Sequence, residues 1–215
     1  MNVFIVYHSQ TGLTHTLAKA IAEGVKKSSG AHVFLRRIPD YSGEKEATGK
    51  RFYGFPDEKD GAVHAGIVRE YQSVPEYSLE ELKTADALVV GSPVYYANMS
   101  AATKIFFESL TPLWTEGSLE NKPGGAFVTS GTLHGGKEQA MMSILSSLMT
   151  FSMVPVGLPL RATYMHAHGS IFGPTATHVL TPESKSLAEL FGKRIADIAF
   201  AFAYGKKVEG LEGEK

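Results

Sequence analysis

The chain opens with a short apolar run that gives way to helical periodicity, and this change constrains the fold more than any other feature. Residues 3–7 are all aliphatic or aromatic, which is typical of a strand buried on both faces. Leu17, Ile21 and Val25 then recur every four residues and predict an amphipathic helix. Residues 32–38 predict a second strand. The order strand, helix, strand predicts a βαβ unit with a right-handed crossover and two parallel strands.

The same alternation continues along the rest of the chain. Apolar runs predict three more strands, at residues 87–91, at residues 125–130 and from Val154. Helical periodicity predicts helices at residues 100–110, at residues 137–151 and from Pro182. The predicted fold class is therefore α/β, with a doubly wound, five-stranded parallel sheet and helices on both faces.

The length and the polar stretches predict one domain with surface excursions. A chain of 215 residues with 43% hydrophobic residues can bury a full core. We expect the domain to span residues 1–205 and to be followed by a charged tail at residues 206–215. Polar stretches predict surface excursions at about 40–77, 111–123 and 161–178. The first excursion is expected to carry one short helix, because long structureless segments are unusual inside a domain.

The charge balance and the absence of cysteine exclude several classes of function. A net charge of −1 provides no basic surface for nucleic acid or for an anionic membrane. Without cysteine the chain has no thiolate nucleophile and no cysteine-ligated zinc or iron–sulfur centre. His166 and His168 have no third ligand nearby in the sequence, so we expect no metal site. No apolar run has the length of a membrane span, and we expect a cytoplasmic protein.

Three loops of unusual composition follow the carboxyl ends of predicted strands. They are residues 9–14, 92–98 and 129–136. In a doubly wound sheet, ligands bind outside these strand ends, near the switch in strand order. We therefore expect the three loops to converge on one site.

The first loop has the chemistry of a site for one phosphate group. Ser9, Thr11 and Thr14 supply hydroxyl groups, and the next helix supplies backbone N–H groups at its positive end. The helix dipole contributes only about 0.3–1 kcal/mol, so direct hydrogen bonds must hold the anion. The loop lacks lysine, arginine and a GxGxxG spacing, which excludes a Walker loop and a dinucleotide site. The alternative is a plain N-capping turn.

The second and third loops have residues suited to a flat heterocycle. Tyr95 and Tyr96 follow the rigid Pro93, where their rings either flank an aromatic ligand or cover a helix end. The glycines of the third loop either let backbone amides approach a ligand closely or form a flexible turn. Trp114, the only tryptophan, lies in a polar excursion. Its ring is either a stacking platform, an interface anchor or part of the core.

Several short motifs, taken in order, resemble those of a known family. They are Gly91-Ser92-Pro93, Asn98-Met99-Ser100, Leu113-Trp114, Gly117-Ser118-Leu119 and Thr129-Ser130-Gly131-Thr132. The series resembles the flavodoxin-like NAD(P)H:quinone oxidoreductases of the WrbA type, and the likeness extends from Val3 to about Ala203. The resemblance implies a flavodoxin-like sheet of strand order 2-1-3-4-5. It also implies a homo-oligomer, a dimer or tetramer, in which neighbouring subunits complete the active sites.

The resemblance further implies an FMN site built from the three loops. Its cofactor-binding residues would be Ser9, Gln10, Thr11, Gly12, Leu13, Thr14, Pro93, Val94, Tyr95, Tyr96, Asn98, Thr129, Ser130, Gly131, Thr132, Leu133, His134 and Gly135. Trp114 is implied to line the pocket in which nicotinamide or quinone stacks, and Tyr95 stands where the family has an arginine. The family's flavin-side histidine falls near Thr150 here, so His134 is the candidate replacement. Trp114, Tyr95 and His134 are the expected catalytic residues.

We therefore expect an FMN-dependent oxidoreductase that transfers two electrons from NADH or NADPH to a small-molecule quinone. Donor and acceptor would use one pocket in turn, which predicts ping-pong kinetics. The first alternative is a flavodoxin-type FMN electron carrier, which the near-neutral charge and the excursion around Trp114 disfavour. The second alternative is a non-enzymatic interaction protein on the same fold. Neither a nucleic-acid partner nor membrane insertion is expected.

Overall fold

The structure, a computed structural model, describes residues 1–40 and 58–205, and its centre is a sheet flanked by helices. The strands in this part of the chain are Asn2–Tyr7 (β1), His32–Arg37 (β2), Ala87–Tyr95 (β3), Asn98–Met99 (β4), Pro123–Ser130 (β5), Val154–Pro155 (β6) and Thr175–Thr177 (β7). The helices are Leu13–Lys26 (α1), Glu58–Ser73 (α2), Leu79–Lys83 (α3), Ala101–Ser109 (α4), Thr111–Thr115 (α5), Lys137–Thr150 (α6), Met165–His168 (α7) and Pro182–Tyr204 (α8).

The strand order places a switch point at the centre of the sheet. The order is β2-β1-β3-β5-β6, and all of these neighbours are parallel. Counted over the five strands that the sequence predicts, this is the order 2-1-3-4-5, so the predicted fold class is confirmed. The chain leaves β1 for β2 on one side and returns to β3 on the other. Ligands bind at such a switch point, outside the carboxyl ends of the strands.

Two apolar layers pack on opposite faces of the sheet. On one face, helices α1 and α8 pack with Ile5 and Phe127. On the other, helices α4 and α6 pack with Val6 and Val128. Successive side chains of a strand point to opposite faces, so the unbroken apolar runs of β1 and β5 supply both layers. The rule that fully buried parallel strands lose the polar alternation explains why the runs were recognisable in the sequence.

The edge of the sheet beside β5 differs from the sequence prediction. β6 pairs with the first residues of β5 and β7 pairs with its last residues, so the fifth strand is interrupted. Residues 161–178, expected to form a loop, contain α7 and β7. A further two-residue strand, β4, pairs antiparallel with the end of β3. These short strands exist because a long neighbour offers them unpaired backbone groups, which is a tertiary effect.

The first excursion also differs from its prediction. Helix α2 has 16 residues, where one short helix was expected. The hydroxyl of Tyr71 on this helix donates to the carbonyl of Ile38 at 2.9 Å and anchors α2 at the end of β2. Residues 41–57 of the excursion and the expected tail at residues 206–215 lie outside the described residues. Among the helices of the described ranges, none combines the length and the apolar character needed to cross a bilayer.

Candidate active site

The first loop enters α1 through a glycine in the left-handed conformation. Gly12 has a φ of +91° and directly precedes the helix, and its carbonyl accepts the N–H of Thr16 at 2.9 Å. A Cβ on Gly12 would lie only 2.5 Å from Cγ2 of Ile67 on α2, so a side chain here would displace Ile67. The hydroxyl of Ser9 accepts the N–H of His15 at 3.2 Å. The first turn of α1 has no acidic side chain, which leaves the positive helix end available to an anion.

Side-chain hydrogen bonds join the first loop to the other two. The hydroxyl oxygens of Thr14 and Thr129 are 2.8 Å apart, and both side chains are buried. The hydroxyl of Tyr95, in the second loop, donates to the amide oxygen of Gln10 in the first. The three loops therefore meet at the carboxyl end of the sheet, as the polarity of the strands predicts.

The second loop is a hairpin rather than an open loop. β3 continues to Tyr95, and the chain turns through Tyr96 and Ala97, whose φ angles are +50° and +60°. It returns antiparallel as β4, where the Asn98 side chain accepts the N–H of Met99 at 2.8 Å. The Tyr96 side chain is 100% exposed, and that of Tyr95 is 38% exposed. A turn that holds aromatic rings in water offers a stacking surface beside the site.

The third loop combines buried hydroxyls near β5 with an exposed tip. Ser130 is buried, and its hydroxyl donates to the carbonyl of Thr132 at 2.6 Å. Leu133 is 65% exposed, and His134 is also exposed. Gly136, at a φ of +81°, precedes α6, and a Cβ there would lie 2.6 Å from the Cβ of Ala97. The third loop thus packs closely against the hairpin turn of the second.

A buried polar network that the sequence analysis missed lies beneath the second loop. The Nδ1 atom of His8 is 2.9 Å from the hydroxyl of Ser100, which caps α4. The hydroxyls of Ser92 and Thr103 join the same network, with 3.1 Å between their oxygens. Burial lowers the pKa of His8, and the Asp40 carboxylate opposes that effect. The Nε2 atom of His8 is buried and has no hydrogen-bond partner in the described part of the chain.

A second missed cluster lies at the start of α1. The hydroxyl of Tyr7 and Nδ1 of His15 are 2.7 Å apart, and both side chains are buried. Nε2 of His15 lies 3.6 Å from the Glu70 carboxylate, which also pairs with Lys19 at 2.6 Å. Burial lowers the pKa of His15 and raises the pKa of Tyr7. The cluster connects α1 to α2 directly behind the first loop.

A buried lysine, Lys137, follows the third loop and was also missed. It is the first residue of α6 and only 8% exposed, and its ammonium donates to the hydroxyl of Thr177 at 2.9 Å. A cation at a helix N-terminus is unfavourable by about 0.3–1 kcal/mol. Burial lowers the pKa of Lys137, and the neighbouring Glu138 carboxylate opposes this. The sequence signal was a charged residue directly after a glycine-rich loop.

Trp114 does not lie with the three loops of its own chain. Its indole N–H donates to the carbonyl of Thr150 at 2.9 Å, at the far end of α6. Since α6 starts at the third loop and has 14 residues, this end is about 20 Å away. Trp114 is 58% exposed and lines an open groove of about 540 Å³ between α4, α5 and α6.

The comparisons with known proteins settle the family. A family model for NADPH-dependent FMN reductases matches residues 1–163. The chain belongs to this family. A relative in Solidesulfovibrio magneticus is 39% identical over 74% of this chain and 72% of its own length. One in Geotalea daltonii is 33% identical over 93% of this chain and 97% of its own. Both relatives are named NAD(P)H dehydrogenase (quinone).

Solved structures agree with the fold of the FMN reductase family. A WrbA-like flavodoxin protein from Agrobacterium tumefaciens aligns with a TM-score of 0.63 and 23% identity, covering 94% of this chain and 98% of its own. An archaeal flavodoxin aligns with a TM-score of 0.61 and 20% identity, covering 93% and 99%. The WrbA-type resemblance, the oxidoreductase class and the FMN cofactor with its nicotinamide donor are thereby confirmed at the level of the family.

The residues at the carboxyl end of the sheet fit FMN. The first loop offers hydroxyls and a helix start without acidic side chains, which suits a phosphate monoester. The exposed rings of Tyr95 and Tyr96 suit a flat ring system. Pro93 lies beside Thr129 in the sheet, and Val94 is partly buried against the apolar layer of α4 and α6. Among the described residues, no group of three potential metal ligands comes together.

Proposed function

We propose that this FMN reductase family member takes two electrons from NADH or NADPH and passes them to a quinone. The observation that carries the proposal is the 2.8 Å hydrogen bond between Thr14 and Thr129. It joins a hydroxyl-rich helix start to a glycine-rich loop at the switch point of the sheet. The names of the relatives, NAD(P)H dehydrogenase (quinone), support the acceptor class.

The first loop holds the phosphate of FMN. Hydroxyls of Ser9, Thr11 and Thr14 donate to phosphate oxygens, together with backbone N–H groups at the start of α1. Gln10, Gly12 and Leu13 contribute their backbone. The proposal is supported by the left-handed Gly12, because a loop without a Cβ there allows the close turn that points amides outward.

The second and third loops hold the ring system. The side chains of Tyr95 and Tyr96, with Asn98 beyond them, flank one side of the ring, and their exposure in the free protein supports this role. Residues of the third loop approach the ring edges mainly through their backbone. They are Thr129, Ser130, Gly131, Thr132, Leu133, His134 and Gly135.

FMN, when bound, supplies the two-electron chemistry, and the chain supplies binding, orientation and electrostatics. The residues hold the donor carbon in near-attack contact, which at best contributes about 7–11 kcal/mol to lowering the barrier. Donor and acceptor occupy one pocket in turn, so turnover is ping-pong. His134 stands at the exposed tip of the third loop. There it would contact the stacked substrate.

Trp114 serves the site of a second copy of the chain. Its distance from the loops of its own chain and its exposure support this assignment, as does the oligomer implied by the WrbA-type resemblance. The protein is accordingly a homo-oligomer, a dimer or tetramer, and works in the cytoplasm. Its other partners are small molecules.

The test uses the purified full chain. Apo-protein is titrated with FMN, and the visible spectrum and flavin fluorescence report binding. NADH and NADPH oxidation is then followed with benzoquinone as acceptor. We expect one FMN per chain and parallel lines in double-reciprocal plots. Intersecting lines contradict the shared pocket, and a protein that binds FMN but oxidises neither nucleotide is an electron carrier instead.

A further inference from the structure

Lys137 differs from the other lysines whose side chains the structure describes. Most of these lysines pair with a carboxylate within 4.0 Å and lie at the surface. Among the lysines whose side chains the structure describes, only Lys122 and Lys137 have no such pair, and Lys137 is the more deeply buried, at 8% exposed. Its one hydrogen-bond acceptor there is the hydroxyl of Thr177, at 2.9 Å. An ammonium has three N–H donors, so two are left for something else.

The position of Lys137 makes its charge harder to explain by stability alone. It is the first residue of α6, where the helix dipole repels a cation. It is also buried, and a buried charge without a close ion pair is unfavourable, even though the Glu138 carboxylate acts on it from beyond 4.0 Å. A lysine kept under both conditions, at the end of the sheet where the loops meet, fits a ligand that brings the missing negative charge.

The face of the sheet on which α6 packs indicates which part of FMN brings the negative charge to Lys137. The first loop, which we assign to the phosphate, leads into α1, whose Leu17 and Ile21 pack on one face. Lys137 leads α6, whose Met141 and Ile144 pack on the opposite face. Lys137 also follows directly on the third loop, which we assign to the ring. We therefore assign its ammonium to the ring side of the site.

The ring acquires negative charge when it is reduced. A hydride carries two electrons and one proton, so a flavin that accepts one from NAD(P)H gains one negative charge. NAD(P)⁺ leaves with the compensating positive charge. A nearby fixed cation favours the reduced ring over the neutral oxidised ring.

We propose that Lys137 is the charge partner of the reduced flavin ring and raises its reduction potential. The assignment rests on the proposed function, since it needs FMN bound by the three loops. Thr177 holds the ammonium in place through its hydroxyl. Lys137 is thus a tuning residue that favours electron uptake from the nucleotide.

The test compares the affinity of the protein for oxidised and reduced FMN. Both dissociation constants are measured anaerobically, by fluorescence for oxidised FMN and by competition for dithionite-reduced FMN. Lys137→Met removes the charge at similar length, and Lys137→Arg keeps it. Lys122→Met is the matched control, because it removes a partly buried lysine just before the other end of β5.

For Lys137→Met we expect the preference for reduced over oxidised FMN to fall at least tenfold, which for two electrons corresponds to about 30 mV. Lys137→Arg should stay within about threefold of the parent, and Lys122→Met should not differ from it. An unchanged preference in Lys137→Met overturns the proposal. So does an equal loss for both redox forms with riboflavin binding unaffected, which would assign Lys137 to the phosphate. If the parent protein binds neither form of FMN, the proposed function itself fails and this assignment falls with it.

Discussion

The two ends of the sheet differ in whether their buried polar groups have hydrogen-bond partners. At the amino end, the backbone N–H of Asn2 donates to the Asp86 carboxylate at 2.6 Å, so the charge is satisfied within the fold. At the carboxyl end, Nε2 of His8 is buried without a partner among the described residues. The ammonium of Lys137, at the same end, donates a hydrogen bond only to the hydroxyl of Thr177 among the described residues. Stability alone favours the first arrangement, because unsatisfied buried groups are costly.

The contrast places the reaction at the carboxyl end of the sheet. The buried side-chain nitrogens that lack a hydrogen-bond partner among the described residues are Nε2 of His8 and Nε2 of His15, which flank the first loop at the switch point. The amino end offers an exposed tryptophan in an open groove, which is the feature of a contact surface. Substitutions at the two ends should therefore differ in their effect on ligand binding.

The largest effect is expected for an alanine at each of two left-handed glycines. Gly12→Ala, at the carboxyl end, combines backbone strain with the contact to Ile67, and FMN affinity should fall about 100-fold, or about 2.7 kcal/mol. Gly30→Ala, at the amino end, has the same strain but open space around its Cβ. It should lower the free energy of unfolding by about 1 kcal/mol and leave FMN affinity unchanged. Fluorescence titration and urea unfolding measure the two quantities. Equal FMN affinities in both variants would remove the distinction between the ends.

The next effect concerns Trp114 at the amino end. Trp114→Ala should lower quinone turnover about tenfold, or about 1.4 kcal/mol, with FMN affinity within about twofold of the parent. Trp114→Phe should retain most of the turnover because the aromatic face is kept. Phe200→Ala, which removes another exposed aromatic, is the control. If Trp114→Ala turns over quinone like the parent, the second-copy role is lost.

A double-mutant cycle measures the link between the loops. Thr14→Val and Thr129→Val each leave a buried hydroxyl without its partner, which should cost about 1–3 kcal/mol of unfolding free energy. The double variant should lose about 1 kcal/mol less than the sum of the two. Thr84→Val, which removes an exposed hydroxyl at the amino end, should cost less than about 0.5 kcal/mol. Strict additivity for the first pair would mean that the loops are not coupled.

The smallest effect is expected in the pH dependence of stability. Burial lowers the pKa of His15 from its ordinary 6.5, so below that pH the unfolded chain binds protons that the folded chain does not. The stabilisation that depends on neutral His15 is complete above pH 6.5, and it is lost as the pH falls through the pKa of His15 in the folded chain. In His15→Gln the loss of unfolding free energy on acidification should therefore be smaller than in the parent. His32→Gln, an exposed histidine at the start of β2, is the comparison, and an identical acid response in all three proteins would rule out this role.

The main strands were predictable because their side chains are buried on both faces. The runs at residues 3–7 and 87–91 have no polar alternation, and this pattern needs no tertiary information. β7, by contrast, is only Thr175–Thr177 and forms because β5 offers it free backbone groups. Helix α2 was underestimated because its apolar pattern is weak and its anchor, Tyr71, bonds to a distant carbonyl.

The candidate site was predictable as three loops, and less so in its buried parts. The loops follow from strand polarity, which the sequence order determines. His8 and Lys137 were missed because charge and polarity in a sequence do not reveal burial. The position of Trp114 could be predicted from the sequence, since a segment between a helix and the next strand lies at the amino end of a parallel sheet.

The interrupted fifth strand bears on how this fold tolerates change. The segment between β6 and β7 is pinned at both ends, and near its end Gly173 lies so close to β5 that a Cβ would be 2.1 Å from the carbonyl oxygen of Ala126. The segment thus shields the rim of the sheet from pairing with other chains, a hazard of bare edges. Val156, Leu158 and Met165 of this segment are buried in the core, whereas its tip near Leu160 and Tyr164 is exposed. The tip can therefore vary in length and sequence during evolution without altering the register of β5. An engineer seeking a place to graft a tag or a sensor loop would find it at this exposed tip.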